Sequence, residues 1–238
     1  GVVLMLWAKQ VVIPKLSRFE YVLLVLSFAE ILISLSRSFW LGLAAGGVLL
    51  FGWFLSVHRS VWKRVVKTGV SSVVCAVLLV AGLLAFPLPP SDGSLTSLVR
   101  TRLDANEEAA TSRWKLLPML WQGIKQAPLL GSGFGSTITY QSHDPRVVQV
   151  TGGVYTTYAF EWGWLDLWYK LGLGGVIVII VLLIRLARRL FHDSVAEWIR
   201  WGIGIGLLAL VVTHFFTPYL NHPLGFGILL ALEGYGWA

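Results

Sequence analysis

Apolar residues in this chain come in blocks rather than in alternating stripes. They run from Gly1 to Trp7, then from about Tyr21 to Leu35, Trp40 to Val57, Gly69 to Phe86, Leu165 to Ile184, Trp201 to Phe215 and Leu224 to Trp237. A helix rising about 1.5 Å per residue needs about 20 apolar residues to cross the hydrocarbon core of a bilayer. The blocks approach that length, so the pattern predicts about six spanning helices preceded by a remnant of another. The sequence starts at Gly1, without Met and already inside an apolar stretch, and no basic n-region precedes it. The expectation is that upstream helices are missing and that this is not a signal peptide.

Positive charge sits between the blocks and orients them. Lys9, Lys15 and Arg18 precede the first full block, Arg59, Lys63, Arg64 and Lys67 follow the second, and Arg185, Arg188 and Arg189 follow the fourth. Cytoplasmic loops collect Lys and Arg. Two crossings separate each pair of clusters, so all three fit on the cytoplasmic side. The turn Ser36-Arg37-Ser38, the stretch from Leu88 to about Trp164 and the turn from His214 to His222 then face outward. The expected organisation is N-terminal membrane helices over 1–88, a large extracytoplasmic loop over 89–164 and C-terminal membrane helices over 165–238. The fold class is all-α: a polytopic transmembrane helical bundle, multi-pass in the cytoplasmic (inner) membrane, with short helices in its long outward loop.

Composition supports lipid over water. Of 238 residues, 56% are hydrophobic and 13% charged, with a mean hydropathy of +0.73. A soluble domain has roughly 25% charged and 45–50% apolar residues. The net charge of +7 lies mostly beside apolar blocks, which argues for membrane orientation and against nucleic acid. The single cysteine, Cys75, is inside an apolar block, so an internal disulfide is excluded and a redox role is not expected.

The outward loop is roughly 70 residues, too long for an ordinary connection. Pro87, Pro89, Pro90, Asp92 and Gly93 break the chain at its start. Asn106 is placed to cap a helix with Glu107 and Glu108 in its first turn. Apolar residues recur at helical spacing from Arg113 to Lys125, where Pro118 is expected to kink or interrupt the helix. Trp114 and Trp121 suit an interfacial position. A turn-rich stretch, Pro128 to Gly135, follows, then a polar segment with His143, Asp144 and Arg146.

Several residues have both a plain and a chemical reading. Arg37 is either a snorkelling anchor or an anion-binding guanidinium at the membrane–water boundary. Arg113, taken alone, fits a solvated helix face. Asp166 and Lys170 are spaced to pair on one helix face. Glu161 has no such local partner and is a candidate general base. His214 and His222 flank the last outward turn; imidazole is the side chain able to titrate near neutral pH, but the two lack a recognised metal-ligand spacing. Gly131-Ser132-Gly133-Phe134-Gly135 has no strand–helix context or following Lys, so a glycine turn is the better reading than a phosphate loop. Gly42 and Gly46 form a small-xxx-small pair suited to helix packing.

Three segments together resemble the O-antigen ligase and O-antigen polymerase superfamily of bacterial membrane glycosyltransferases. They are Ser36-Arg37-Ser38-Phe39-Trp40-Leu41-Gly42; the run from Arg113-Trp114 through Pro128-Leu129-Leu130-Gly131-Ser132-Gly133-Phe134-Gly135; and Trp164-Leu165 through Lys170-Leu171-Gly172-Leu173-Gly174-Gly175, where a span restarts. The resemblance implies a bundle of GT-C-like type. It implies transfer of a glycan from an undecaprenyl-diphosphate carrier to a lipid, saccharide or protein acceptor on the outer face of the membrane, without metal or cofactor. Arg37 and Arg113 match the arginines expected to hold the diphosphate. The pattern departs where ligases carry a His-Asn pair eleven residues before the glycine that is Gly172 here. This chain has Glu161-Trp162 there, so Glu161, with Arg113, takes the catalytic place. Tyr140, His143, Trp162 and His214 are the further substrate-binding candidates, and Trp162, Trp164 or Tyr140 would stack on sugar. The alternatives are polymerase-type chain extension and a transporter or flippase of lipid-linked glycans, which would show an inverted repeat or paired broken helices.

Overall fold

The computed structural model describes residues 1–13, 15–57, 59–85, 108–142, 145–192 and 196–234. The Asn106 cap, Glu107, the proline-rich breaker, His143 and Asp144 lie outside the described residues. The described elements are mostly helical: α1 (Val2–Val12), α2 (Arg18–Ser34), α3 (Arg37–Val57), a 3-10 turn at Arg59–Val61, α4 (Trp62–Ala85), α5 (Glu108–Gln126), α6 (Pro145–Thr151), α7 (Gly163–His192), α8 (Glu197–His214) and α9 (Pro223–Gly234). One departure from an all-α fold is a two-stranded antiparallel sheet, β1 (Ile138–Gln141) with β2 (Val154–Thr157). Every predicted block lies largely within a helix. Among the described residues three helical stretches are long and apolar enough to cross a membrane: Arg37–Val57, Arg59–Leu83 and Gly163–Phe191. That is fewer than the six predicted, for reasons of length and polarity. The α2 helix has 17 residues and α9 has 12, while α8 gives its ends to Glu197, Arg200, Thr213 and His214.

The chain divides into two compact units. The first gathers α1 to α4, the end of α7 from Ala187, and α8 as far as Thr213. Its α2 starts at a capping box. The Glu20 amide donates to Ser17 Oγ at 3.2 Å, and the Ser17 amide donates to Glu20 Oε2 at 2.9 Å, which satisfies two otherwise bare donors. It ends at Leu35, whose φ of 46° is a left-handed conformation that costs a non-glycine residue roughly 1–2 kcal/mol. Two residues later α3 opens at Arg37. Gly42 and Gly46 do pack helices closely. A Cβ on Gly42 would lie 2.2 Å from Thr213 Oγ1, and one on Gly46 would lie 2.5 Å from Leu4 Cδ1. The core between these helices is apolar: Leu4, Ala8, Val11, Leu50, Trp53 and Phe54 form one cluster, and Val3, Leu6, Leu24, Phe28 and Ala76 another. Lys9 and Glu20 form an ion pair, and Tyr21 Oη donates to Ser71 Oγ at 3.0 Å.

The second unit holds α5, the hairpin, α6, α7 as far as Leu186, and the segment from His214 through α9. Leu116, Leu120 and Ile124 recur every four residues on α5 and are buried against Phe160 and Tyr169. Gly123 leaves room for the Tyr169 ring, whose Cε2 would lie 2.6 Å from an added Cβ. The α5 helix continues through Pro118, so the chain is not interrupted there: the buried leucine face outweighs the one lost backbone bond. The hairpin register sets Tyr140 opposite Tyr155.

Candidate functional site

Helix α7 is broken at the end of its first third. Gly172 has φ 68° and ψ −177°, so the carbonyls before it and the amides after it lose their helical partners. The loop from Pro128 to Gly133 supplies new ones. The Ser132 amide donates to the Tyr169 carbonyl at 2.8 Å and the Gly133 amide to the Lys170 carbonyl at 2.9 Å. On the other side of the break, the Leu173 amide donates to the Pro128 carbonyl at 2.9 Å and the Gly174 amide to the Leu129 carbonyl at 3.2 Å. Trp168 Nε1 also donates to the Pro128 carbonyl, at 2.9 Å. Two glycines make this contact possible. A Cβ on Gly172 would lie 2.2 Å from the Leu129 oxygen, and one on Gly131, whose φ is 72°, would lie 2.4 Å from the Gly172 nitrogen. The Gly131–Gly135 run is therefore a glycine turn, as expected, and its partner is a helix rather than a phosphate.

A buried polar cluster lies one turn before the break. Lys170 Nζ is 2.8 Å from Asp166 Oδ1, and both side chains are almost fully enclosed. Asn221 Nδ2 donates to the other Asp166 oxygen. Lys170 also faces the rings of Phe160, at 5.5 Å, and Phe134, at 6.0 Å. Beside the cluster is a cavity of about 300 Å³, lined by Phe134, Leu167, Leu171, Leu220, Asn221 and Phe226 among others. Sequence reasoning found the Asp166–Lys170 pair but not its Asn221 partner or the cavity. The only sequence signal for Asn221 was an amide in an otherwise apolar region.

The sequence-derived candidates fall as follows. Trp162 is half-buried just before α7. Its ring is 5.1 Å from the ring of Trp114, edge-on, and 6.3 Å from that of Phe216. Trp114 is 65% exposed, so the pair presents an aromatic surface. Tyr140 meets Tyr155 edge-on at 5.7 Å and, like Trp162, packs on the Leu120–Phe160 core. Glu161 is exposed between the buried Phe160 and Trp162. Arg113 is the α5 residue immediately before Trp114; its side chain lies outside the described residues. The Trp114–Trp162 contact thus joins the chain neighbours of Arg113 and Glu161. His214 is fully buried. Its Nδ1 accepts from the Leu220 amide at 3.2 Å, and its ring meets Trp164 at 4.9 Å. Gly163 packs so closely that an added Cβ would lie 1.9 Å from the His214 carbonyl oxygen. Arg37, exposed at the start of α3, belongs to the first unit, and the other placed candidates belong to the second. Among the described residues no three His, Cys, Asp or Glu side chains gather.

The O-antigen ligase family model matches residues 22–180. The chain belongs to the O-antigen ligase family. The match reaches from α2 through the broken part of α7, and so includes the loop that completes it. No curated protein matches the chain, and no solved structure does. Membership of the O-antigen ligase family supports a membrane glycosyltransferase-like role in O-antigen processing, with a lipid-linked glycan and an acceptor as partners in general terms. The apolar helices are consistent with that location.

Proposed function

We propose that this chain transfers a glycan from an undecaprenyl-diphosphate carrier to an acceptor on the outer face of the cytoplasmic membrane. The observation that carries the reading is the Trp114–Trp162 contact, which brings the segments of Arg113 and Glu161 together beside an exposed aromatic surface. In the proposed reaction the acceptor hydroxyl gives its proton to the Glu161 carboxylate as its oxygen attacks the anomeric carbon. The bond from that carbon to the carrier diphosphate breaks, and the diphosphate leaves with the electron pair. Guanidinium groups suit the leaving group because they stay charged and bind phosphate oxygens in pairs. Arg113 and Arg37 take this role, Trp162 and Tyr140 stack against sugar, and His143 completes the substrate-binding set, while His214, fully buried, acts on it only by positioning Trp164. The charge pattern, from which the loop is expected to face outward, supports a donor presented there.

The test is reconstitution with undecaprenyl-diphosphate glycan and candidate acceptors. Release of carrier diphosphate is expected, with a drop of at least about a hundredfold in Glu161→Gln and Arg113→Ala, the lower range of a general base's contribution. Movement of intact carrier across the bilayer without glycan release would instead support transport. Transport favours paired broken helices; α7 is one broken helix, and its break is filled by backbone rather than open to a solute.

A further inference from the structure

The stretch where the 3-10 turn leads into α4 carries four cations in nine residues: Arg59, Lys63, Arg64 and Lys67. Two physical features make this arrangement unfavourable within the chain. Lys63 and Lys67 are like charges one helical turn apart. Lys63 and Arg64 also lie in the first turn of α4, where the macrodipole is already positive. An acidic neighbour would relieve both, as Glu20 does for Lys9, Asp166 for Lys170 and Glu233 for Arg185. Among the described residues no carboxylate pairs with any of the four. An anion at the membrane surface would compensate them.

The packing of α4 says where that anion is. Gly69, Ser72 and Ala76 are buried toward the rest of the first unit. Lys63 and Lys67 fall on the opposite face, which continues at intervals of three and four through Val70, Val74 and Leu78, exposed by 59%, 50% and 66%. This is a face for lipid. From Lys63 to Leu83 the helix rises about 30 Å, the thickness of the hydrocarbon core. Lys63 therefore lies at headgroup level, and Lys67, one turn deeper, reaches back to it along its own aliphatic stem. Trp62, 49% exposed, is the aromatic residue expected at the same depth.

We propose that Arg59, Lys63, Arg64 and Lys67 form a binding site for the headgroup of an anionic phospholipid seated against the Val70–Val74–Leu78 face. Clusters of four or more cations beside a span hold anionic lipid at about 1 kcal/mol per charge, which is about fivefold in affinity for each. The site belongs to the first unit and does not depend on the proposed transfer reaction.

Purified protein is equilibrated with equal amounts of phosphatidylglycerol and phosphatidylcholine, and bound lipid is counted by native mass spectrometry. Phosphatidylglycerol should exceed phosphatidylcholine by about fivefold for each cation that engages the headgroup. The K63Q/K67Q variant, which leaves helix propensity almost unchanged, should lower that ratio by roughly 25-fold, while K15Q/R188Q should leave it unchanged. An unchanged ratio in K63Q/K67Q overturns the proposal. So does displacement of the lipid by inorganic phosphate as readily as by added phosphatidylglycerol, which would mark a simple anion site. If K63Q/K67Q does not fold, the wild-type ratio from about 0.05 to 0.5 M salt decides, since headgroup attraction must weaken with screening and a constant ratio refutes it.

Discussion

Asp166 divides its carboxylate between Lys170 and the Asn221 amide, and the charged pair is shielded from water. Removing one partner of a buried pair strands a charge and costs about 3–5 kcal/mol, whereas replacing both by apolar residues of similar size is often close to neutral. Asp166→Asn should therefore lower the unfolding temperature in detergent by roughly 10 °C, and Asp166→Leu with Lys170→Met should recover most of it. A double variant as unstable as the single one would show that the pair is needed for more than neutralising itself. Trp162, between Trp114 and Phe216, is a second residue with a distinct expectation. Trp162→Ala removes an aromatic face worth about 1–3 kcal/mol if stacking on sugar resembles stacking on other rings. In the reconstituted transfer assay it should raise KM roughly tenfold or more while moving kcat less. A fall in kcat alone would place Trp162 with the chemistry instead. The i,i+4 spacing of Asp166 and Lys170 was legible in the sequence because one helix suffices to bring them together. Asn221 was not, because it reaches Asp166 across 55 positions of chain, and only tertiary packing specifies that contact.

Between elements, the joint of the Pro128–Gly133 loop with α7 is the feature that most constrains the second unit. The glycines of that loop were readable as a turn and Gly172 as the place where a span restarts. What they turn toward was hidden, since local backbone preference carries no information about a partner 40 residues away. Pro118 shows the same limit from the other side: its local effect is strong, yet the buried Leu116–Leu120–Ile124 face carries the helix through it. Gly172→Ala should expel the loop, because a methyl 2.2 Å from the Leu129 oxygen has no room and the residue must also hold a positive φ. The expected readout is hydrogen exchange: the Leu173 and Gly174 amides should lose their protection while amides in α4 keep theirs. Equal loss in both would mean general unfolding, and no loss in either would mean the joint tolerates a side chain.

Across the whole molecule, the charge pattern assigns sides that the fold alone does not. Thr139, exposed on β1, belongs to the segment placed outside, and Lys63 belongs to a cluster placed inside. With Cys75 replaced by Ser, Thr139→Cys should react with a membrane-impermeant maleimide in intact cells and Lys63→Cys should react only after permeabilisation. The reverse pattern would remove the outer-face reading of the aromatic surface. Block length and charge made the membrane character and the succession of helices legible. Which helices are long enough to cross was less so, because apolar runs blur into polar ends such as Glu197–Arg200 of α8, and the small β1–β2 sheet left no strong alternation to read.

The filling of the α7 break bears on how such a chain is made. Pro128 to Gly133 leaves the ribosome before Gly172, so the segment that completes the helix is already available when the helix arrives. Bare backbone groups in hydrocarbon cost several kcal/mol each, and four of them would make the later half of α7 a poor candidate for insertion by itself. Excising the loop to obtain a minimal membrane core should therefore yield a protein that fails to integrate, rather than one that merely lacks a peripheral appendage.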